Sequence, residues 1–293
     1  MPYESRTRRR LRVAGRYARS VAHPRSYPTV GVIPAYWWDG HPNFGDALTP
    51  WLLRPRGVLP FLTAPSQSHM VGVGSILEHL PDDYEGTIWG TGLMYDAAFS
   101  LPKARVLAVR GALTRDRIDA PADVTLGDPG LLAADVVRRR DVRYELGFLP
   151  HSNHFPSPQT RDLRSREDSR IHFIDVRRSP DFVVREISRC RHVLSTSLHG
   201  LVVADSFGIP AAWASLEPEL MGSTYKFHDH ESVVTPGWSR QIEVAVGDSV
   251  ESITGRTRPA DRDSVRASVE GLRASVTQLP VTRAFAPVAW WHR

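Results

Sequence analysis

The stretch HVLSTSLHGLVVADSFGIPAAWAS, residues 192–215, decides how the rest of the chain is read. It predicts a short apolar strand over 192–196, a helix over 198–207 and a second strand over 209–214. The helix is punctuated at both ends. Ser197 is placed to cap its first free N–H groups, Gly208 falls where a left-handed residue closes a helix, and Pro210 blocks continuation. Leu198, Leu201, Val202, Val203, Ala204 and Phe207 make it apolar nearly all round, which predicts a buried helix. A buried strand–helix–strand unit implies a parallel sheet and an α/β fold with ligands at the carboxyl ends of the strands. Ser195, Ser197, Leu198 and His199 stand at such a strand end and on the first turn of the helix. The unpaired N–H groups and positive dipole end there favour an anion, phosphate above all. A plainer role stays open, in which Ser197 only caps and His199 only packs.

Working outward, the same alternation recurs. A first strand is expected over 29–37, a loop over 38–45 and a helix over 46–53, with Gly45 permitting a turn and Asp46 free to cap. Further strands are expected over 69–74, 87–90 and 105–109, and helices over 112–118 and 131–137. Gly72-Val73-Gly74 lacks the third glycine of a dinucleotide fingerprint, Leu77 standing there. Arg110 ends one strand, where an arginine suits a carboxylate or phosphate. The charged run 138–143 (RRRDVR) predicts a boundary between a first unit, 27–140, and a second, 141–293. In the second unit, strands are expected over 144–149 and 171–176 and helices over 180–190 and 261–279, with 156–169 polar and irregular. His151 and His154 have metal-ligand spacing, but in a proline-flanked loop with no third partner they point away from zinc.

Composition narrows the function classes. The chain has 293 residues, 41% of them hydrophobic and 24% charged, which is ordinary for two modest globular units. Residues 1–26 hold eight arginines against Glu4, a net of +7, so the formal +5 of the whole leaves −2 for the rest. Basicity is therefore a property of the arm, and the near-neutral body argues against a nucleic-acid partner. The arm suits attraction to an anionic inner membrane leaflet, a transit peptide or plain solvation. Cys190 is the only cysteine, which excludes an intrachain disulfide, fits a reducing cytoplasmic compartment and reads as a small buried apolar residue. No apolar run approaches a membrane span of ~20 residues.

The run S-T-S-L-H-G-L-V-V-A-D-S-F-G-I-P at 195–210 resembles the C-terminal signature of the polysaccharide pyruvyl transferase family. Other segments resemble further elements of that family: Asn43-Phe44-Gly45-Asp46, the V-R-G-A-L-T-R run at 109–115, Gly127-Asp128-Pro129, Pro150-His151, and Lys226-Phe227-His228-Asp229. Two positions depart from it, with Gly111 where the family has an acid and His230 where it has an aromatic residue. The resemblance, in its bacterial exopolysaccharide branch, implies two Rossmann-like domains facing a cleft in a GT-B-like arrangement. It also implies transfer of pyruvate from phosphoenolpyruvate onto a sugar as a ketal, without a metal or other cofactor. The acceptor would be a surface polysaccharide or its lipid-linked precursor.

That chemistry assigns roles residue by residue. A donor carrying a carboxylate and a phosphate needs cations and a helix N-terminus, which Arg110, Lys226 and the Ser195–Ser197–Leu198 turn could supply, with Asn43, Asn153 and Asp128 as polar contacts. Protonation of the donor's methylene carbon needs an acid near neutral pKa, the role given to His199, with His151 as the alternate acid or base and Asp46 as a lesser catalytic candidate. Two competing readings remain at this point, a nucleotide-sugar glycosyltransferase of GT-B type and a non-catalytic polysaccharide-binding or scaffold subunit. Trp290 and Trp291 would suit the latter as a docking patch.

Overall fold

The computed structural model describes residues 31–166 and 170–283, which form an α/β protein. Its strands are β1 (Gly31–Tyr36), β2 (Val58–Leu62), β3 (Met70–Val71), β4 (Thr87–Trp89), β5 (Arg105–Val109), β6 (Thr125–Leu126), β7 (Tyr144–Leu149), β8 (Ile171–Phe173), β9 (Cys190–Ser195), β10 (Ala211–Trp213) and β11 (Thr282–Arg283). Its α-helices are α1 (Leu48–Leu53), α2 (Ala112–Arg117), α3 (Ala133–Val136), α4 (Pro158–Ser165), α5 (Pro180–Ile187), α6 (Leu198–Ser206), α7 (Tyr225–Val234), α8 (Val250–Thr254) and α9 (Arg262–Val276). The arginine arm of residues 1–26, Thr29, Val30, Trp290 and Trp291 lie outside the described residues.

The first sheet runs β2-β1-β3-β4-β5-β6, all parallel, with β11 antiparallel beside the start of β1. The second runs β10-β9-β7-β8, also parallel. Parallel strands are covered on both faces and so read as apolar runs. Leu146, Phe148, Leu149, Val193 and Leu194, in the two central strands of the second sheet, are all buried.

The helix at the centre of the sequence argument, α6, is also central in space. Residues 198–205 are buried throughout, and Val202 lies so close to Gly130 of the first unit that a Cβ on that glycine would come within 2.8 Å of it. One apolar core runs through α6 from Ile33 and Leu52 under the first sheet to Val193 and Trp213 of the second. Each fully buried aliphatic side chain of this kind contributes about 1.5–3 kcal/mol. The helix stops as expected. Gly208 takes φ +64°, and the N–H groups of Gly208 and Ile209 close back on the carbonyls of Asp205 (3.0 Å) and Ala204 (3.0 Å).

Several expectations need correction. Strand β2, with Pro60 at its middle, went unforeseen because proline suppresses a strand reading; it pairs with β1 alone, and an edge strand tolerates a missing donor. The strand expected over 69–74 ends at Val71, since the Val73 N–H turns away to the Thr49 hydroxyl (2.8 Å) and Gly74 adopts φ +122°. The irregular stretch at 156–169 contains α4, capped by Ser157, whose hydroxyl accepts from the Thr160 N–H (3.1 Å). The second unit, expected to hold everything from residue 141, gives its last elements back. Helix α9 packs on the first sheet, where the Trp89 indole donates to the Ser275 hydroxyl (3.0 Å) and Arg273 pairs with Asp135, and β11 joins β1. No helix among the described residues is long and apolar enough to cross a membrane. Cys190 is buried and its thiol is pushed up to about 12 by burial, with Glu186 adding, so it is an inert packing residue.

Candidate active site

The loops after β1 and β6 reach the first turn of α6, which follows β9, and the His151 N–H after β7 donates to the Thr196 hydroxyl (2.8 Å) just before that turn. The turn into α6 is built by Ser195. Its hydroxyl accepts the Ser197 N–H (3.0 Å) and lies within bonding distance of the Ser197 (2.7 Å) and Leu149 (3.1 Å) carbonyls. Ser195 is thus buried and occupied by backbone, which leaves it little to offer a ligand. Ser197 holds the N-cap position in extended conformation, yet its side chain makes no capping bond, contrary to expectation. The Gly200 N–H closes on the Ser197 carbonyl (3.1 Å), which leaves the Leu198 and His199 N–H groups at the positive end of the helix for an anion. Leu198 is buried in the apolar core.

His199, the second residue of α6, is buried with its Nε2 3.6 Å from Oδ2 of Asp128. Neither atom has a hydrogen-bond partner. Asp128 follows β6 through the Gly127 turn, and its other oxygen accepts from the Gly130 N–H (2.8 Å), capping a short 3-10 turn over Pro129–Leu132. Burial works to raise the Asp128 carboxyl. The neighbouring imidazole, together with the Gly130 N–H, outweighs burial and holds it below the usual carboxylate range. Asp128 is therefore an anion facing an imidazole across a gap slightly too long for a hydrogen bond.

The loop after β1 closes over this pair. Phe44 meets the imidazole edge-on at 6.4 Å, and a Cβ on Gly45 would stand 2.0 Å from His199 Nδ1, so only glycine fits. The loop is held by the Phe44 N–H on the Val176 carbonyl (2.8 Å) and the Gly45 N–H on Asn43 Oδ1 (3.0 Å). Asn43 thus shapes the loop. Asp46 is not the helix cap; α1 begins at Leu48 behind Ala47, and Asp46 instead acts electrostatically on Lys226.

Lys226, in the first turn of α7, is half-buried, with its ammonium 3.4 Å from the Met221 carbonyl. Burial, and after it the charge of Arg110, bring its pKa down to about 8 against the opposing pull of Asp46. His151, which follows β7, is brought down to about 4 by burial, by the charge of Lys226 and by His154, so it is neutral at physiological pH. The Asn153 N–H donates to its Nδ1 (3.2 Å), which places the ring proton on Nε2. Asn153 itself is exposed. His154 packs behind, both ring nitrogens engaged with the Thr196 hydroxyl (2.7 Å) and the Pro218 carbonyl (3.0 Å).

Arg110 departs furthest from expectation. It is fully buried, with Nε on Asp229 Oδ2 (2.7 Å), one terminal nitrogen on Ser75 Oγ and the other on the Leu93 carbonyl (2.6 Å). It stands behind the site and orders it, and a donor could reach it only by breaking this set. Sequence reasoning missed its partner. Asp229 on α7 also accepts the Thr114 N–H (2.8 Å) and hydroxyl (2.7 Å), and Ser232 accepts the Ala112 N–H (2.9 Å). Helix α7 therefore caps helix α2 from outside, as a carboxylate at a helix N-terminus should. Gly111 permits it. A Cβ there would fall 1.8 Å from the Asp229 carbonyl oxygen, which explains a glycine where an acid was expected. A second buried set was equally unforeseen: Asp205 of α6 with His230 (2.8 Å) and Arg240 (3.0 Å to Nη2), and Arg240 with Glu231 (3.2 Å). It fixes α6 against α7, and His230 replaces an aromatic residue to serve it.

Comparison with known proteins points to a family for the region that holds these residues. The family model described as "Polysaccharide pyruvyl transferase" matches residues 85–217, which include Arg110, Asp128, His151 and His199. The chain is 29% identical over 211 residues to the succinoglycan biosynthesis protein ExoV of Rhizobium meliloti (strain 1021), covering 67% of this chain and 63% of that protein. It is 31% identical over 176 residues to uncharacterized protein L143 of Acanthamoeba polyphaga mimivirus, covering 56% of this chain and 60% of that one. In both cases the match spans less than two thirds of the relative's length. A solved structure of an uncharacterized Klebsiella pneumoniae protein aligns over 82% of this chain and all of its own, at 9% identity and a TM-score of 0.42.

Proposed function

Because the chain belongs to the polysaccharide pyruvyl transferase family across residues 85–217, we propose that it moves pyruvate from phosphoenolpyruvate onto two hydroxyls of a saccharide as a cyclic ketal. The observation that carries the reading is the Asp128–His199 pair: a buried carboxylate and a buried imidazole, each with an unpaired atom facing the other, on the turn where amide N–H groups await an anion. Two parallel sheets joined through α6 support paired Rossmann-like layers facing a cleft, in the manner of GT-B enzymes.

The Asp128 carboxylate facing Nε2 keeps a proton on that nitrogen. Protonated His199 delivers one proton to the donor's methylene carbon, and the adjacent carbon gains oxocarbenium character. One sugar hydroxyl attacks that carbon, and its proton returns to His199. Phosphate leaves with the C–O electron pair, the second hydroxyl closes the ring, and that hydroxyl's proton departs with phosphate. Lys226 and the open amides of α6 offset the charge of the donor carboxylate and phosphate. Neutral His151 offers an Nε2–H to an acceptor or donor oxygen. The acceptor belongs to a polysaccharide or its lipid-linked precursor.

Phosphate release from phosphoenolpyruvate, screened against glucose-, galactose- and mannose-terminated acceptors, tests the reading. Release that depends on one acceptor is the expected result. No release with any of them, beside a thermal shift from a nucleotide sugar, would replace pyruvyl transfer with glycosyl transfer.

A further inference from the structure

The rim of the site carries three of the large apolar side chains that the described residues leave exposed: Trp38 (41% exposed), Tyr95 (50%) and Met221 (69%). A series of contacts links them to the catalytic groups. The Lys226 ammonium reaches the Met221 carbonyl, and Gly222 lies against Met94, where a Cβ would come within 2.3 Å of its carbonyl oxygen. The Met94 (2.6 Å) and Tyr95 (3.2 Å) N–H groups share Glu78 Oε1, and the next residue, His79, stacks at a tilt on Trp38 with ring centres 5.4 Å apart. Trp38 also begins the loop that ends over His199.

Trp38 is exposed without being loose. Its ring is flanked by His79, and Gly40 passes so closely that a Cβ there would lie 2.3 Å from the indole. His79 is fixed in turn by the Tyr36 hydroxyl on its Nδ1 (2.8 Å), and burial lowers its pKa, Glu78 opposing, so it is a neutral ring with Nε2 left for a ligand. A rigid aromatic face beside a single polar donor is what a pyranose recognises. One face of a sugar ring presents polarised C–H groups that suit the negative face of an indole, and its hydroxyls need donors at the edge. A fixed ring offers that area at little entropic cost. The exposed apolar residues are interrupted by Glu78 and His79, so they do not form the continuous patch that a stable protein interface requires.

We propose that this rim is the acceptor subsite and that Trp38 is its platform, stacking on a hexopyranose unit of the saccharide next to the one that receives pyruvate. The proposal rests on the pyruvyl-transfer reading for its acceptor, and its test is a binding measurement independent of turnover. The full chain is titrated calorimetrically with glucose-, galactose- and mannose-terminated trisaccharides and, separately, with phosphoenolpyruvate. The wild type is expected to bind at least one trisaccharide, Trp38→Ala to bind it about tenfold more weakly and Trp38→Phe to stay within about threefold, with phosphoenolpyruvate affinity unchanged in all three. Should the alanine variant unfold, Trp38→Leu, which keeps bulk without a ring face, must show the same tenfold loss. Unchanged saccharide affinity in these variants overturns the subsite, as does a wild type that binds no trisaccharide. Saccharide binding through Trp38 without any phosphoenolpyruvate binding would uphold the subsite and refute the donor.

Discussion

Two buried pairs built on an aspartate, Arg110–Asp229 and His199–Asp128, differ in one respect. Around Arg110 and Asp229 every guanidinium nitrogen donates, to Ser75, Leu93 and Asp229, and both carboxylate oxygens accept, from Thr114 and Arg110. Around His199 and Asp128 one atom of each partner is left unpaired across 3.6 Å. A saturated pair has no capacity left for chemistry, and its breakage leaves a buried charge alone. An unsaturated buried pair is costly to keep, which in a cleft marks groups held ready for a proton or a ligand. The first set holds the fold together, and the second is the one the proposed reaction uses.

His199→Ala should break the comparison most visibly, with turnover falling about a thousandfold while circular dichroism keeps the wild-type fold. Wild-type turnover would remove His199 from the reaction. Arg110→Met should do the reverse. It strands the Asp229 carboxylate and should cost about 3–5 kcal/mol in denaturant unfolding. An undiminished midpoint with a large rise in the phosphoenolpyruvate KM would make Arg110 a donor ligand after all.

Lys226 sharpens the contrast through pH. Its folded pKa of about 8 lies below the ordinary 10.5, so the folded protein loses this ammonium first. Stability from this group should therefore rise between pH 8 and 10.5, where the unfolded chain still holds the proton, while donor binding weakens. The phosphoenolpyruvate KM is expected to climb about tenfold per unit above pH 8, and Lys226→Gln should flatten that climb while raising KM at pH 7. A wild-type KM that ignores pH there would show that Lys226 does not bind the donor. The smallest effect is expected at His151. Because it titrates near 4, His151→Gln should lower turnover only about threefold and leave the profile from pH 6 to 8 unchanged in shape. A profile whose limb disappears in this variant would make His151 the proton carrier instead.

Much of the fold was legible because parallel strands and α6 declare themselves by apolar runs with punctuation. Gly208 stopped its helix as expected, and β5 and β7 span the ranges their sequences predict. Strand β2 was hidden by Pro60, whose tolerance depends on an edge position that local sequence does not reveal. The return of α9 to the first sheet depends on long-range contacts such as Trp89 with Ser275, 186 residues apart. In the site, His199 and Asp128 could be named singly from their motifs, but their pairing joins β6 to α6 across two units. The Arg110 role was misjudged for the same reason. A strand-end arginine looks available until its partner, 119 residues on, is in place. Gly111 was the one local signal that something must pass close by.

The most direct test compares acceptor-dependent phosphate release by the wild type and by Asp128→Asn. The amide keeps an oxygen for the Gly130 N–H and nearly the same shape, but removes the charge facing His199. If the unsaturated pair does the chemistry, release should fall about a thousandfold with stability nearly unchanged. Wild-type release from Asp128→Asn would contradict the account and leave Asp128 as a turn residue only.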